Sequence, residues 1–431
     1  MYRSIKKYLL EWKNSKFRKP LILQGARQVG KTYMLLEFGR ENYNNVAYFN
    51  FETNPKLKDI FEESIEPDEV VPKLSYFGGT PIVKEKTLII LDEVQLCPRA
   101  LTSLKYFCEN EPDYHIAVAG SLLGVAVNRD EFAFPVGKVD IMTMHPMDFK
   151  EFLLAFNEEE LISKIKHAYD ENVALSQVYH DKAMDYYLEY LYVGGMPECV
   201  SKFKETRDYT LVRHTQNMIL ASYLNDMSKY NNTNEIKKTR LVYDNITVQL
   251  SKRNTKFQYK LVKKGGRASE FENAIEWLCL SGIVDKCHAI EQVKKPLEDY
   301  KDIDAFKIYV SDVGLLGAKK EISKEDIRYM KEEMAEFKGG LAENYVGNQL
   351  LARGYSKYYY EDTNNVEIDF VIVKENNIIP VEVKSGLRTR STSLNSYFSK
   401  HNPEYAIRIS EKNFGFENGI KSVPLYAVFC I

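Results

Sequence analysis

Eight consecutive residues, Gly25-Ala26-Arg27-Gln28-Val29-Gly30-Lys31-Thr32, constrain this chain more than any other stretch. They fit the pattern G-x-x-x-x-G-K-[ST], in which two glycines let the backbone curl and aim its N–H groups inward at phosphates. Lys31 would add its charge beside the outer phosphates, and the Thr32 hydroxyl would be a Mg²⁺ ligand. The flanking sequence supplies the setting such a loop needs. Lys19-Pro-Leu-Ile-Leu-Gln24 is an apolar run of strand length, and Tyr33-Met-Leu-Leu-Glu-Phe38 opens an apolar-periodic helix.

A second feature completes the expectation of ATP and Mg²⁺ as cofactors. Thr87-Leu-Ile-Ile-Leu-Asp92-Glu93 is an apolar strand ending in adjacent carboxylates, at the carboxyl edge of a sheet where ligands gather. Asp92 would hold the Mg²⁺ shell, leaving Glu93 to orient and polarise the attacking water. Val46–Phe51, His115–Ala119 and Lys138–Thr143 are further short apolar runs separated by helical stretches, which predicts a parallel sheet covered on both faces. Ser121, just after the run at His115–Ala119, stands where many ATPases with such a loop carry a polar sensor of the terminal phosphate; a plain turn serine is the competing reading.

Composition narrows the remaining classes. With 431 residues the chain exceeds one core, and two to four domains are expected. A net charge of −2 creates no global attraction to DNA or membranes, so any nucleic-acid surface must be local. No apolar run approaches the roughly 20 residues of a membrane span. The first twenty residues read as an amphipathic helix with Tyr2, Ile5, Leu9 and Trp12 on one face rather than as a signal peptide. The cysteines (Cys97, Cys108, Cys199, Cys279, Cys287, Cys430) form no C-x-x-C pair and the histidines no metal-binding spacing, so a reducing cytoplasm is expected.

Beyond Pro146 the pattern is helical and Tyr-rich, interrupted by Gly194-Gly195-Met-Pro197. Residues 251–269 hold seven Lys or Arg side chains and no acid, with Phe257 and Tyr259 interleaved. This stretch reads either as a phosphate-backbone contact or as a solvated loop. Helices followed by a ribbon ending in Phe306-Lys-Ile-Tyr-Val310 suggest a winged helix. Glu321–Glu336 is charged and reads as a linker or exposed helix.

The C-terminal part carries its own constellation. Val366-Glu-Ile-Asp369-Phe-Val-Ile-Val373 and Ile378-Ile-Pro-Val-Glu382-Val-Lys384-Ser385 flank a polar turn, which predicts a hairpin. Alternation places Glu382 and Lys384 on one face with Asp369 opposite them across the ladder. Glu343 shares a helix face with Val346 and Leu350, and a half-buried carboxylate there wants a partner or a metal. Glu343, Asp369 and Glu382 as metal ligands, with Lys384 beside an activated water, would suit metal-assisted phosphodiester hydrolysis. A solvated, salt-bridged hairpin is the plainer alternative. Arg388, Arg390 and Lys400 follow with no acid before Glu404, a local basic run suited to a phosphate backbone.

The loop, Asp92-Glu93 and the strand ends together resemble the AAA-type branch of P-loop ATPases. More narrowly, GARQVGKT, Asn50-Phe51-Glu52, LDEVQ, AGSLLG, His145–Phe152 and Tyr309–Gly317 are similar to an uncharacterised prokaryotic ATPase family. Its C-terminal module resembles the PD-(D/E)xK nuclease superfold, matched here by Lys338–Asn344, Glu367-Ile-Asp369-Phe and Pro380–Ser385. The resemblance implies ATP hydrolysis coupled to a domain that binds or cuts DNA, or alternatively a nucleotide-dependent switch whose C-terminal domain only binds nucleic acid or a protein. It also allows a homo-oligomer, but Lys138 stands where relatives commonly show Gly-Arg, a candidate trans-acting finger, and lacks the bidentate fork; Arg129 is a candidate substitute nearby. The expected fold class is α/β: a P-loop AAA-type parallel-sheet domain at 1–155, a helical region at 156–235, a winged-helix-like domain at 236–320 and a PD-(D/E)xK-like α/β domain at 321–431.

Overall fold

The computed structural model describes residues 1–120, 135–230, 233–250, 252, 256–329, 334–362, 366–386 and 392–431. The chain divides into two compact units, one of residues 2–145 with 280–282, the other of residues 146–279 and 283–431 with Met1.

In the first unit the apolar runs form β1 (Leu21–Gln24), β2 (Asn45–Asn50), β3 (Thr87–Asp92), β4 (His115–Ala119) and β5 (Asp140–Thr143). Every pairing is parallel, and the order across the sheet is β2-β3-β4-β1-β5. The loop-bearing β1 and the carboxylate-bearing β3 therefore flank β4, and both open at the same carboxyl edge. β3 and β4 are buried along their whole length, as apolar runs in a parallel sheet covered on both faces must be. Ile22, Ile89, Leu91, Ile116 and Val118 join one core with Leu57, Phe61, Leu74 and Phe107 from the helices. The helix Ile5–Asn14 buries Leu9 and Trp12 as expected. Tyr2, however, precedes the helix and is exposed, whereas Arg3 beside it is buried.

The second unit begins ten residues earlier than the sequence suggests. The helix Phe149–Ala155 packs with later elements: Phe149 lies edge-on to Tyr190 and Tyr345 and against Phe429, and its N–H donates to Gln349 Oε1 at 2.9 Å. The Gly194-Gly195 interruption is a close approach to Asp312. Gly195 N–H donates to Asp312 Oδ2 at 2.5 Å, and a Cβ on Gly194 (φ 74°) would fall 2.3 Å from Asp312 Oδ1.

Further along, the helices Thr233–Leu250, Tyr259–Val262 and Ala268–Leu280 precede the ribbon β6 (Val284–Ile290) and β7 (Lys301–Val310). That order matches the helices-then-ribbon expectation, but the ribbon does not end a separate domain. β6 pairs in parallel with β8 (Tyr358–Glu361), so one sheet runs across the division expected at 320/321. Its remaining strands are β9 (Glu367–Lys374), β10 (Asn377–Val383), β11 (Ala406–Ser410), β12 (Gly415–Glu417) and β13 (Ile420–Pro424), in the order β12-β13-β11-β10-β9-β8-β6-β7. The predicted hairpin is β9–β10, turned by Glu375 and Asn376 at φ 48° and 66°, the left-handed values a two-residue hairpin turn needs. The helix Ala335–Ala352 precedes the antiparallel run β8-β9-β10; the helix Thr392–His401 follows it, and β11 then returns parallel to β10. No helix among the described residues is long and apolar enough to cross a membrane.

Candidate functional site

The loop between β1 and the helix Lys31–Asn42 curls as its glycines allow. Gly30 takes φ 94° and Gln28 φ 66°. A Cβ on Gly25 would sit 2.2 Å from the Met144 carbonyl oxygen, so no other residue fits where the segment after β5 passes. Arg3 supports the loop from outside the motif: its guanidinium donates to the Val29 carbonyl at 3.0 Å and to the His145 carbonyl at 2.5 Å.

Lys31 is buried and folded onto its own loop, donating to the carbonyls of Gly25 and Ala26 at 2.8 Å each. Burial lowers its pKa to about 8; the Glu93 and Asp92 carboxylates oppose that shift and Arg27 adds to it. Thr32 Oγ1 donates to Asp92 Oδ2 at 2.9 Å, which brings the two expected Mg²⁺ ligands together across the ends of β1 and β3. The same oxygen accepts from the Tyr48 hydroxyl at 2.8 Å and from Asn50 Nδ2 at 3.4 Å. Asp92 Oδ1 accepts from the Glu93 N–H at 3.0 Å. A hydroxyl and a carboxylate in contact at the loop's edge are the donor set a hard divalent cation takes, so these residues fit Mg²⁺.

Glu93 stands at φ 52°, a left-handed conformation that costs a non-glycine residue about 1–3 kcal/mol and recurs where a side chain must be aimed. Burial raises its pKa, and Gln95, whose amide donates to Glu93 Oε2, works against the rise. Lys138 pairs with Glu109 at 2.9 Å. Ser121 and Arg129 lie outside the described residues.

In the second unit the predicted C-terminal residues do come together, around a cation that sequence reasoning missed. Glu343 projects from the helix Ala335–Ala352, whose middle is buried on nearly every face rather than along one stripe. Its Oε1 accepts from Lys307 Nζ at 2.8 Å and from the Tyr309 hydroxyl at 2.6 Å, both on β7. Lys307, 1% exposed, also pairs with Glu367 Oε1 of β9 at 2.6 Å and lies over the Tyr359 ring at 4.9 Å.

Asp369, on the same strand, accepts from the Val383 N–H at 2.7 Å. Burial and the neighbouring Glu343 push its carboxyl up to about 7, against the pull of Lys307 and Lys384. Lys384 pairs with Glu382 Oε1 at 2.9 Å, and Glu382 Oε2 is buried without a hydrogen-bond partner. Among the described residues no three carboxylate, imidazole or thiol groups are placed to share a metal ion. As arranged, the Glu343, Asp369 and Glu382 set does not fit one, and Glu343 Oε1 is engaged instead by Lys307 and Tyr309.

The basic stretch divides by face. Phe257 is buried and stacks on Phe306 with ring centres 5.5 Å apart, and Tyr259 meets the same ring edge-on, so these aromatics pack on the ribbon instead of offering a base-stacking platform. Lys260, Lys263, Lys264 and Arg267 are exposed, with Lys263 paired to Glu270. Arg253, Arg388 and Arg390 lie outside the described residues; Lys400 pairs with Asp362 at 3.1 Å. Arg3 and Tyr48 carry no local sequence signal. Lys307 does: a lysine inside the apolar run Ala305–Val310 has no solvent to reach.

Strand order, loop and carboxylates define an AAA-type P-loop ATPase fold in the first unit. In agreement, residues 17–153 match the family model described as "AAA domain". Residues 184–326 and 338–428 match two models described as domains of unknown function, DUF8612 and DUF4143. No curated protein matches the chain. Similar solved structures include the Walker-type ATPase paby2304 of Pyrococcus abyssi, at 12% identity over 74% of this chain and 95% of that one, TM-score 0.46. The Aeropyrum pernix ORC2 protein in ADPNP–ADP complexes matches at 13% identity over 76% and 95%, TM-score 0.33. The Aeropyrum pernix ORC1 protein in complex with DNA matches at 12% identity over 74% and 90%, TM-score 0.28.

Proposed function

We propose that this protein binds and hydrolyses ATP with Mg²⁺ at the first unit and couples that cycle to a C-terminal nuclease-like module that engages DNA without cutting it. The observation that carries the ATPase reading is the 2.9 Å contact between Thr32 and Asp92, with Glu93 next in sequence and free of that pairing. The loop N–H groups and Lys31 would bind the phosphates, Lys31 leaving its two carbonyls to do so. Thr32 and Asp92 would hold Mg²⁺, which when bound offsets charge on the phosphates. Glu93, its basicity raised by burial, would accept the proton of the attacking water.

The nuclease-like reading of the module draws on its element order, a helix bearing Glu343, the antiparallel run β8-β9-β10, a second helix and the parallel return β11. A specific observation favours binding over cleavage: Glu343 is held by Lys307 and Tyr309. Exposed Lys260, Lys264 and Arg267, next to winged-helix-like elements, supply cations for a phosphate backbone. The ATP·Mg²⁺ partnership is proposed with DNA as the macromolecular partner; a protein partner is the rival.

Two assays test the reading. Phosphate release should be abolished in Lys31→Ala and slowed about 10²–10⁴-fold in Glu93→Gln while ATP still binds; turnover unchanged in Glu93→Gln would remove its role. The wild-type chain should retard duplex DNA with a salt-dependent affinity and leave supercoiled plasmid intact with Mg²⁺ or Mn²⁺. Nicking lost in both Asp369→Ala and Lys384→Ala would instead establish a cutting module.

A further inference from the structure

A buried ammonium lies among the C-terminal carboxylates that do not form a metal site. Lys307 comes from β7, before the helix and hairpin that carry the predicted residues, and reaches Glu343 and Glu367 at 2.8 and 2.6 Å with its charge over Tyr359. We propose that Lys307 is the resident cation of this cluster, holding Glu343 and Glu367 in the place a divalent metal ion would contest and keeping the module in a metal-free, non-cleaving form. This rests on the nuclease-like reading of the module given above.

Three observations support it. Lys307 is 1% exposed, so its charge is neutralised by these carboxylates rather than by water, and removing it would leave Glu343 buried without its cation. The Tyr359 ring, its centre 4.9 Å from Nζ, adds a cation–π contact on a further side of the ammonium. Four carboxylates (Glu343, Glu367, Asp369, Glu382) lie about the ammonium groups of Lys307 and Lys384. Glu382 Oε2 is buried and without a hydrogen bond. With Lys307 gone, Glu343 and Glu367 lose their cation and, with Asp369 beside them, are left as oxygen donors of the kind Mn²⁺ and Mg²⁺ prefer.

The test is Mn²⁺ binding to the nucleotide-free, full-length chain, followed by the loss of the free-ion electron paramagnetic resonance signal. Asp369→Asn serves as the reference for Mn²⁺ held elsewhere. Lys307→Gln should tighten Asp369-dependent Mn²⁺ binding at least tenfold over wild type. Lys307→Gln combined with Glu367→Gln removes one charge of each sign; it should show the same gain and guards against a single variant that fails to fold. Affinity within twofold of wild type in either folded variant overturns the proposal. So does a wild-type chain that already binds Mn²⁺ at micromolar or tighter affinity in an Asp369-dependent way, a result that needs no Lys307 variant. Failure of the underlying reading shows separately: a chain that binds no DNA, and nicks none even as Lys307→Gln, loses the nuclease-like assignment whatever its Mn²⁺ affinity.

Discussion

ATP affinity should fall as pH rises through 8, because Lys31, proposed to meet the phosphates, is partly neutral in the free protein. Lys31 lies folded on the Gly25 and Ala26 carbonyls, and burial has brought its pKa to about 8. Bound phosphates restore the ordinary range near 10.4 or above, since an anion beside a lysine favours its charged form. Binding therefore takes up a proton wherever free Lys31 is neutral, so affinity is full well below pH 8 and is lost above it. Between pH 7 and 9 the neutral fraction rises from about one-tenth to about nine-tenths, and the dissociation constant should grow about tenfold, or about 1.4 kcal/mol. The assay is titration calorimetry of Mg·ATP at pH 7, 8 and 9 in two buffers of different ionisation enthalpy. Uptake of about half a proton per ATP is expected at pH 8, approaching zero at pH 6.5. Lys31→Arg, charged throughout this range, should bind with no such slope. A wild-type affinity that is flat from pH 7 to 9, with no proton uptake, would refute the reasoning.

Other consequences are equally specific. Gly25→Ala should abolish ATP binding, because the new methyl meets the Met144 carbonyl at 2.2 Å and the backbone cannot yield cheaply; wild-type affinity in this variant would show the loop repacks. Arg3→Ala removes a charged donor from the Val29 carbonyl and should cost about 1.5–3 kcal/mol, read as weaker ATP binding or a lower melting temperature of the first unit. Asp312→Ala deprives the buried N–H groups of Gly195 and Leu315 of their acceptor; a loss of about 1–3 kcal/mol per stranded donor is expected in denaturant unfolding, against little change in ATP affinity. Neutralising Lys260, Lys264 and Arg267 together should weaken DNA binding and flatten its salt dependence, and an unaltered slope would remove that surface from the account.

The first unit was legible because its signals are local. Phosphate binding by backbone requires glycines at fixed spacing, and a buried parallel strand must be apolar, so Gly25–Thr32 and Thr87–Glu93 announce both element type and chemistry. The contacts that refine the site are long-range and left no pattern. Tyr48 reaches Asp92 only because β2 lies beside β3, and Arg3 reaches Val29 from ahead of the first helix. In the second unit, period-two alternation placed Glu382 and Lys384 together, and they pair at 2.9 Å, while the hairpin turn followed from its polar residues. The boundaries near 155 and 320 were drawn from composition, which cannot register that Phe149 packs on Tyr345 or that β6 pairs with β8. Lys307 was legible as a lysine inside the apolar run Ala305–Val310, but its partners were not. Its neighbours Phe306 and Ile308 read as a plain strand, and the acids that hold it arrive 36 and more residues later.

The most direct test of the account is the Mg²⁺ dependence of ATP binding in the wild type and in Thr32→Val, measured by equilibrium dialysis. Thr32 and Asp92, the proposed Mg²⁺ ligands, meet at 2.9 Å. The wild type should bind one ATP per chain more tightly with Mg²⁺ than with a chelator, and Thr32→Val should lose that difference while retaining Mg²⁺-free affinity. No ATP bound by the wild type, or a Mg²⁺ effect that survives in Thr32→Val, would contradict it.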